Sequence, residues 1–307
     1  MRIAIIGRTE ILYNAAVLLK QAGHTISCIL TARQAPEYTR TVMDFKNLAR
    51  HWSVPFAQSS QIVENIDFLN ASSSEIAVSI NYTGVVPQEV IDIFPLGILN
   101  AHGGDLPRYR GNACQAWAIL HGEEQIGLCI HKMIGGELDS GDIIARDYLA
   151  IDHNTKVTRV WEWMSVRAPE LMLEAVQMLD ANPDYLLEKQ SRDPAHSLRC
   201  YPRKPEDGRI NWCKPAIDIL RLINACNKPY SGAFCVFESK KLVIWDAELV
   251  EDDEIFHAVP GQVTKIGESF VEVACGGGKL RLIQTGFQSA GACTPTDLIK
   301  SIRQRLL

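Results

Sequence analysis

The sequence predicts a two-part α/β chain, a doubly wound sheet domain followed by a small antiparallel barrel-like domain, and three observations carry this. Short apolar runs alternate with helix-like segments in the first half. The composition then shifts to a polar, proline-containing stretch. Beyond it come short strand-like runs separated by Gly and Asp turns. In order, the first half reads RIAIIG, ILYNAAVLLKQAG, HTISCILT, DFKNLARHW, EIAVSI, VPQEVIDIF and ILNAH. The strand runs are four to eight residues long, rich in Ile and Val and unbroken by polar alternation. That suits parallel strands covered by helices on both faces. A loop (GGDLPRYRG), a helix (NACQAWAILHG), the strand runs IGLCIHKM and DIIARDYLAI joined by IGGELDSG, and an amphipathic helix over 157–179 complete this part.

Residues 191–208, SRDPAHSLRCYPRKPEDG, hold three prolines and no hydrophobic period, and read as a linker. It separates a domain over 1–200 from one over 206–307. The second domain opens with the helix AIDILRLINAC and continues through GAFCVFE, KLVIWDAE, GQVTKI, SFVEVAC and KLRLIQ, the spacing of a small antiparallel barrel.

Composition narrows the function classes. The chain has 307 residues, 47% hydrophobic and 22% charged, which excludes disordered, collagen-like and disulfide-miniprotein classes. Lys and Arg number 31 against 36 Asp and Glu, a net charge of −5, so no overall field attracts a polyanion. The apolar run in MRIAIIGRTE is too short for a signal peptide, and no stretch approaches the roughly 20 apolar residues of a membrane span. A cytoplasmic protein without a membrane partner is expected. Nine cysteines, an odd number with no C-x-x-C pair, indicate a reducing compartment and no metal site.

The first βα junction, Gly7-Arg8-Thr9-Glu10, has one glycine where a dinucleotide fingerprint needs three, so a nicotinamide cofactor is disfavoured. Arg8 and Thr9 nevertheless lie at a strand's carboxyl end beside a helix N-terminus, where they either meet an anion or form a solvated turn. The informative segment is LNAHGGDLPRYRG. On a strand ILNAH, Asn100 and His102 leave the same face at the carboxyl end, where open α/β sheets bind ligands. An amide and an imidazole on a buried strand face need partners or a task.

Asp139, in GGELDSGD, supplies a carboxylate able to orient His102 and stabilise its imidazolium. Asp142 serves the turn, and His131, on an apolar strand, reads as structural. An Asn, a His and an Asp with no nucleophile fit direct acyl transfer: the amide donates to a developing oxyanion while the imidazole exchanges protons with an amine. Ser140 is the only nearby hydroxyl and has no adjacent base, which leaves a Ser-His-Asp hydrolase the weaker reading.

On these residues the chain resembles the 10-formyltetrahydrofolate-dependent formyltransferases, a family that includes glycinamide ribonucleotide transformylase, methionyl-tRNA formyltransferase and the nucleotide-sugar N-formyltransferases. NAHGGDLPRYRG matches the family's Asn-x-His followed by Leu-Pro-x-Tyr-Arg-Gly, and ELDSGDII, about 40 residues on, matches its Leu-Asp-x-Gly loop. YSGAFCVFE and PGQV resemble the C-terminal domain of the methionyl-tRNA and sugar enzymes.

The resemblance implies a Rossmann-like formyltransferase domain, an OB-like C-terminal domain and 10-formyltetrahydrofolate as formyl-donor cosubstrate. It makes His102 the general acid/base, Asn100 the oxyanion stabiliser and Asp139 the carboxylate behind the histidine. The folate would lie against Gly84, Val85 and Val86 and against Gly135, Gly136, Glu137 and Leu138. Two departures stand out. The family's Ser-Leu-Leu-Pro is Gly104-Asp105-Leu106-Pro107 here, and Asn112 stands where relatives often have Arg or Met. Asp105 is either an acceptor contact or a solvent-facing loop residue.

The family's tRNA enzymes resemble one another in a basic loop inserted in the N-terminal domain, whereas TARQAPEYTRTVMDFK is only mildly charged. The expected acceptor is therefore a nucleotide-linked amino sugar, as in glycan or lipopolysaccharide biosynthesis. Arg8, Thr9, Asn81 and Tyr82 are its candidate contacts, with Tyr82 equally a core aromatic. Methionyl-tRNA is the alternative acceptor, and a non-catalytic nucleic-acid binder using the barrel is the third reading. Arg199, Arg203, Lys204 and Arg209 form either a basic patch or a solvated linker. Assembly is open between monomer and homodimer.

Overall fold

A computed structural model describes residues 1–287 and 291–307. The chain forms two compact units. One comprises Met1–Cys114, Ile126–Leu149 and Trp161–Tyr201, and the other Gln115–Gln125, Ala150–Val160 and Pro202–Leu307.

The first half of the chain runs β1 (Arg2–Gly7), α1 (Glu10–Gln21), β2 (Thr25–Thr31), α2 (Val42–Trp52), β3 (Phe56–Gln58), α3 (Ile66–Ala71), β4 (Ile76–Ile80), α4 (Gln88–Ile91) and β5 (Ile98–His102). There follow β6 (Tyr109–Gly111), α5 (Cys114–His121), β7 (Gln125–Lys132), β8 (Ile143–Ala150), α6 (Val157–Ala181) and β9 (Leu198–Cys200). Seven strands make one sheet in the order β3-β2-β1-β4-β5-β7-β8. The first five are parallel, as the apolar runs predict. β7 instead runs antiparallel to β5, so the sheet is mixed. An apolar run signals a buried strand but carries no direction of pairing.

Ile3, Ile5, Ile6, Ile29, Leu30 and Val78 are fully buried. Each contributes about 1.5–3 kcal/mol relative to exposure. The lone glycine of the first junction has a packing task. Gly7 has φ +134°, and a Cβ there would stand 2.2 Å from the Ile80 carbonyl oxygen. It lets β1 and β4 close up at the point where strand order reverses, the crevice in which such sheets bind ligands. Helix α2 starts on a capping box, with the Asp44 amide donating to Thr41 Oγ1 at 3.3 Å and the Thr41 amide to Asp44 Oδ2 at 2.7 Å.

The stretch read as a linker is structured. β9 pairs in parallel with β6, placing Gly111 opposite Cys200. Strands of three residues carry too little periodicity to be read from sequence.

The second unit places α7 (Ala216–Ala225) with a five-stranded antiparallel sheet of β10 (Ala233–Phe237), β11 (Lys240–Leu249), β12 (Val263–Ile266), β13 (Val271–Ala274) and β14 (Lys279–Phe287), in the order β10-β11-β14-β13-β12. A short helix α8 (Pro295–Leu298) follows. Ile219, Leu220 and Ile223 of α7 share one core with Leu242, Ile244, Val271, Val273, Leu280 and Leu282. The last residues join the two edges of the sheet. Leu307 exchanges backbone hydrogen bonds with Val236 of β10, while the Leu306 amide donates to Gly261 and the Val263 amide to Gln304 beside β12. An edge so covered offers no template for another chain. No helix among the described residues is long and apolar enough to cross a membrane.

Candidate active site

β5 ends the parallel part of the sheet and carries Asn100 and His102 at its carboxyl end. The turn after β7 brings Asp139 back toward both. His102 is 7% exposed, and its Nδ1 lies 3.5 Å from Asp139 Oδ2. Its Nε2 faces the Tyr109 carbonyl oxygen at 2.6 Å, with Cys114 Sγ at 3.7 Å. A nitrogen that close to a carbonyl carries the ring hydrogen, so Nδ1 is the basic nitrogen of the neutral ring. A proton arriving there lands beside a carboxylate.

Gly104 makes this arrangement possible. A Cβ at that position would stand 2.4 Å from the Tyr109 carbonyl oxygen and 2.5 Å from His102 Nε2.

His131, read from sequence as structural, belongs to the same network. It is the register partner of Asn100 across β5 and β7 and is 1% exposed. Its Nδ1 faces the Lys132 carbonyl at 2.9 Å, which assigns the hydrogen there and leaves Nε2 to accept from Asn100 Nδ2 at 3.2 Å. The same Nε2 lies 3.6 Å from Asp139 Oδ1. Asn100 is thereby oriented, with its second amide hydrogen available to another acceptor.

Asp139 sits at φ +49°, a left-handed conformation that Asp tolerates better than most residues. Its Oδ2 accepts the Gly111 amide at 2.8 Å. Burial opposes ionisation of this carboxyl, but His102 and His131 in their protonated forms, together with the Gly111 amide, outweigh it and hold the group well below the usual carboxylate range. It is a fixed negative charge between two imidazoles.

The two segments expected to hold folate adjoin each other. The Gly136 amide donates to the Val86 carbonyl at 3.2 Å and the Gly135 amide to Gln88 Oε1 at 2.9 Å. Gly84 and Gly136 have positive φ and open space where a side chain would be, and Val85 is 54% exposed. The Val86 side chain is 2% exposed and belongs to the core, and Glu137 accepts from Ser140 Oγ at 2.5 Å. Leu138 is half-buried beside Asp139.

The expected acceptor contacts divide. Arg8 is at the surface of the β1 crevice, its Nε donating to the Asn81 carbonyl and its Nη1 to the Arg33 carbonyl, with Tyr38 under the guanidinium. Asn81 is exposed. Thr9 is corrected: it is fully buried and caps α1 by accepting from the Leu12 amide at 3.4 Å, so the helix start uses the hydroxyl. Tyr82 packs against the core, its hydroxyl donating to the Ser59 carbonyl at 2.9 Å, and burial pushes the phenol up to about 12. Asp105 is partly exposed, and its carboxylate is engaged within the chain. Its Oδ1 accepts from Arg146 Nη1 and from the Tyr148 hydroxyl, each at 3.1 Å. Among the described residues no cluster of His, Cys, Asp and Glu has the makings of a metal site.

Comparisons with known proteins identify the family. The model of the formyl transferase family matches residues 1–176, and that of the formyl transferase C-terminal domain matches 203–303. Methionyl-tRNA formyltransferase of Coxiella burnetii is 28% identical, over 100% of this chain and 97% of that protein. Its namesake from Agathobacter rectalis is 25% identical, over 94% of this chain and 92% of that protein.

Among solved structures, the N-formyltransferase from Helicobacter canadensis, in complex with folinic acid and dTDP-3-aminofucose, is similar at a TM-score of 0.67 with 16% identity, over 92% of this chain and 98% of that one. HypX from Aquifex aeolicus in complex with tetrahydrofolic acid has a TM-score of 0.66 with 16% identity, over 98% of this chain and 47% of that one. At that identity these two speak for the fold. By the match over its first 176 residues and again over its C-terminal part, the chain belongs to the formyl transferase family of enzymes.

Proposed function

We propose that this chain transfers a formyl group from 10-formyltetrahydrofolate to an amine without a covalent enzyme intermediate. The observation that carries the reading is the single network joining Asn100, His131, Asp139 and His102. In this reading residues 1–200 perform the chemistry and 206–307 position the acceptor. The folate lies along the open lip of Gly84 and Val85 and the backbone of Gly135–Leu138, where small residues leave room for a flat heteroaromatic ring next to Asp139.

The acceptor nitrogen attacks the formyl carbon, and the carbonyl oxygen becomes a tetrahedral oxyanion. The free amide hydrogen of Asn100 meets that charge. The amine's proton passes, directly or through a water, to His102 Nδ1, where Asp139 stabilises it. The C–N bond to the folate then breaks, and the proton ends on the departing folate nitrogen. The histidine is restored, and tetrahydrofolate and the N-formyl product leave.

For the acceptor, the two relatives of 25% and 28% identity, which align over 94% and 100% of this chain, are named methionyl-tRNA formyltransferases. This puts the methionyl group of charged initiator tRNA ahead of the amino sugar expected from sequence. An amino sugar is the second reading, favoured by residues 31–46, where three basic residues stand against two acidic ones. Purified protein with 10-formyltetrahydrofolate is offered charged initiator tRNA or a panel of dTDP-, UDP- and GDP-amino sugars, and tetrahydrofolate release is followed. Turnover with tRNA supports the first reading. Turnover with a sugar alone overturns it, and release with neither overturns amine formylation.

A further inference from the structure

We propose that Gln190 is a positioning residue for formyl transfer, holding the turn that presents Asp139 to His102. The segment around it then belongs to the catalytic apparatus. Gln190 lies between the stretches matched by the two family models, 1–176 and 203–303. The inference rests on the role given above to Asp139.

Gln190 is 7% exposed. Its Nε2 donates to two main-chain oxygens of the Asp139 turn, the carbonyl of Asp139 at 3.0 Å and that of Gly141 at 2.6 Å. A primary amide nitrogen has two hydrogens, one for each carbonyl. Its Oε1 accepts from Arg110 Nη2 at 2.9 Å, and the same Arg110 nitrogen reaches the Ser191 carbonyl at 3.3 Å. Both donors of this one side chain are thus spent on the backbone of the turn, beside the Gly111 amide that binds the Asp139 carboxylate.

The turn needs such a clamp. Asp139 has φ +49°, and a left-handed conformation costs a non-glycine residue roughly 1–2 kcal/mol. Gly141 allows no side chain, since a Cβ would stand 1.8 Å from the Lys132 carbonyl oxygen. Neighbouring backbone keeps Gln190 in place. The Ile143 amide donates to the Glu188 carbonyl at 2.8 Å and the Leu187 amide to the Ile143 carbonyl at 3.0 Å. Further on, β9 pairs with β6, whose Tyr109 carbonyl faces His102 and whose Gly111 amide binds Asp139. The stretch from Leu187 to Cys200 thus supports both halves of the His102–Asp139 pair from outside.

Two substitutions separate this role from bulk packing. Gln190→Met keeps the length and fills the site but donates nothing. Gln190→Glu keeps the shape and the Arg110 partner but turns oxygen toward two carbonyls. Turnover is measured with 10-formyltetrahydrofolate and charged initiator tRNA, or with the nucleotide-amino sugar that turned over in the panel, alongside thermal melting and Asp139→Asn. A loop carrying a reacting group that moves by about 1 Å costs on the order of 10² in rate, so kcat should fall by about that much in both Gln190 variants, while KM for the folate stays within about twofold.

A kcat within about twofold of wild type in either folded variant, with Asp139→Asn inactive, overturns the role of Gln190. An equal loss in kcat and affinity for folate also overturns it, as general disruption. If Gln190→Met does not fold, Gln190→Glu alone decides. Near-normal turnover in Asp139→Asn would instead refute the underlying reading of the site.

Discussion

Adding one methyl group at Gly104 tests how His102 is held. The Cβ of Gly104→Ala would lie 2.5 Å from His102 Nε2 and 2.4 Å from the Tyr109 carbonyl oxygen, whereas ordinary contact begins near 3.4 Å. Those two atoms are 2.6 Å apart, so the methyl wedges against both and neither can yield toward the other. The imidazole or the Tyr109 peptide must move by about 1 Å, enough for a loss on the order of 10² in kcat. Overpacking of this kind costs about 1–3 kcal/mol of stability. The assay is tetrahydrofolate release under saturating acceptor, with thermal melting in parallel. Folded Gly104→Ala with wild-type kcat would refute the idea that the Tyr109 carbonyl fixes His102 during turnover.

The other substitutions separate chemistry from scaffold. Asn100→Ala removes the proposed oxyanion donor and should lower kcat by about 10² to 10³, read from steady-state kinetics. Asp139→Asn should abolish turnover and change the acid stability profile. Because the Asp139 carboxyl ionises below its usual range in the folded chain, its contribution is present above the ordinary value of 3.8 and is lost as pH falls through the folded value. Urea midpoints of wild type measured downward from pH 5 should therefore contain an acid-labile component that Asp139→Asn lacks. Thr41→Ala removes the α2 cap, far in sequence from the site, and should cost about 1 kcal/mol by denaturant titration with kcat unchanged.

Much of the scaffold is written in local patterns. RIAIIG, TISCIL and EIAVSI read as buried strands because each is apolar without alternation, and they form β1, β2 and β4. Asn100 and His102 stand out for the complementary reason: they put polar groups where the same pattern demands hydrocarbon. Pairing direction was not legible, because β7 is as apolar as its parallel neighbours and runs the other way. Thr9, Tyr82 and Asp105 show the opposite limit. Each is polar and a candidate contact, yet the fold uses its hydroxyl or carboxylate for a cap, a strand-end carbonyl or an Arg–Tyr pair.

The residues that support the site were hidden by obeying local rules. His131 follows the apolar run 126–130 on its strand, and the register with Asn100 and the approach of Asp139 give its ring a task. Its one signal in the sequence is an imidazole directly after that run. Gln190 and β9 lie in a stretch of turn residues and exposed side chains such as Leu198, which carries no period at all. A reacting side chain must break the pattern of its own element to face the substrate, so sequence betrays it. A side chain that holds another in place needs only to be near it in space, and for Gln190 that nearness spans 51 residues of chain to Asp139. The catalytic groups of a fold assembled from distant segments are therefore easier to read from sequence than the groups that aim them, and substitutions at the second kind are the sharper test of the structure.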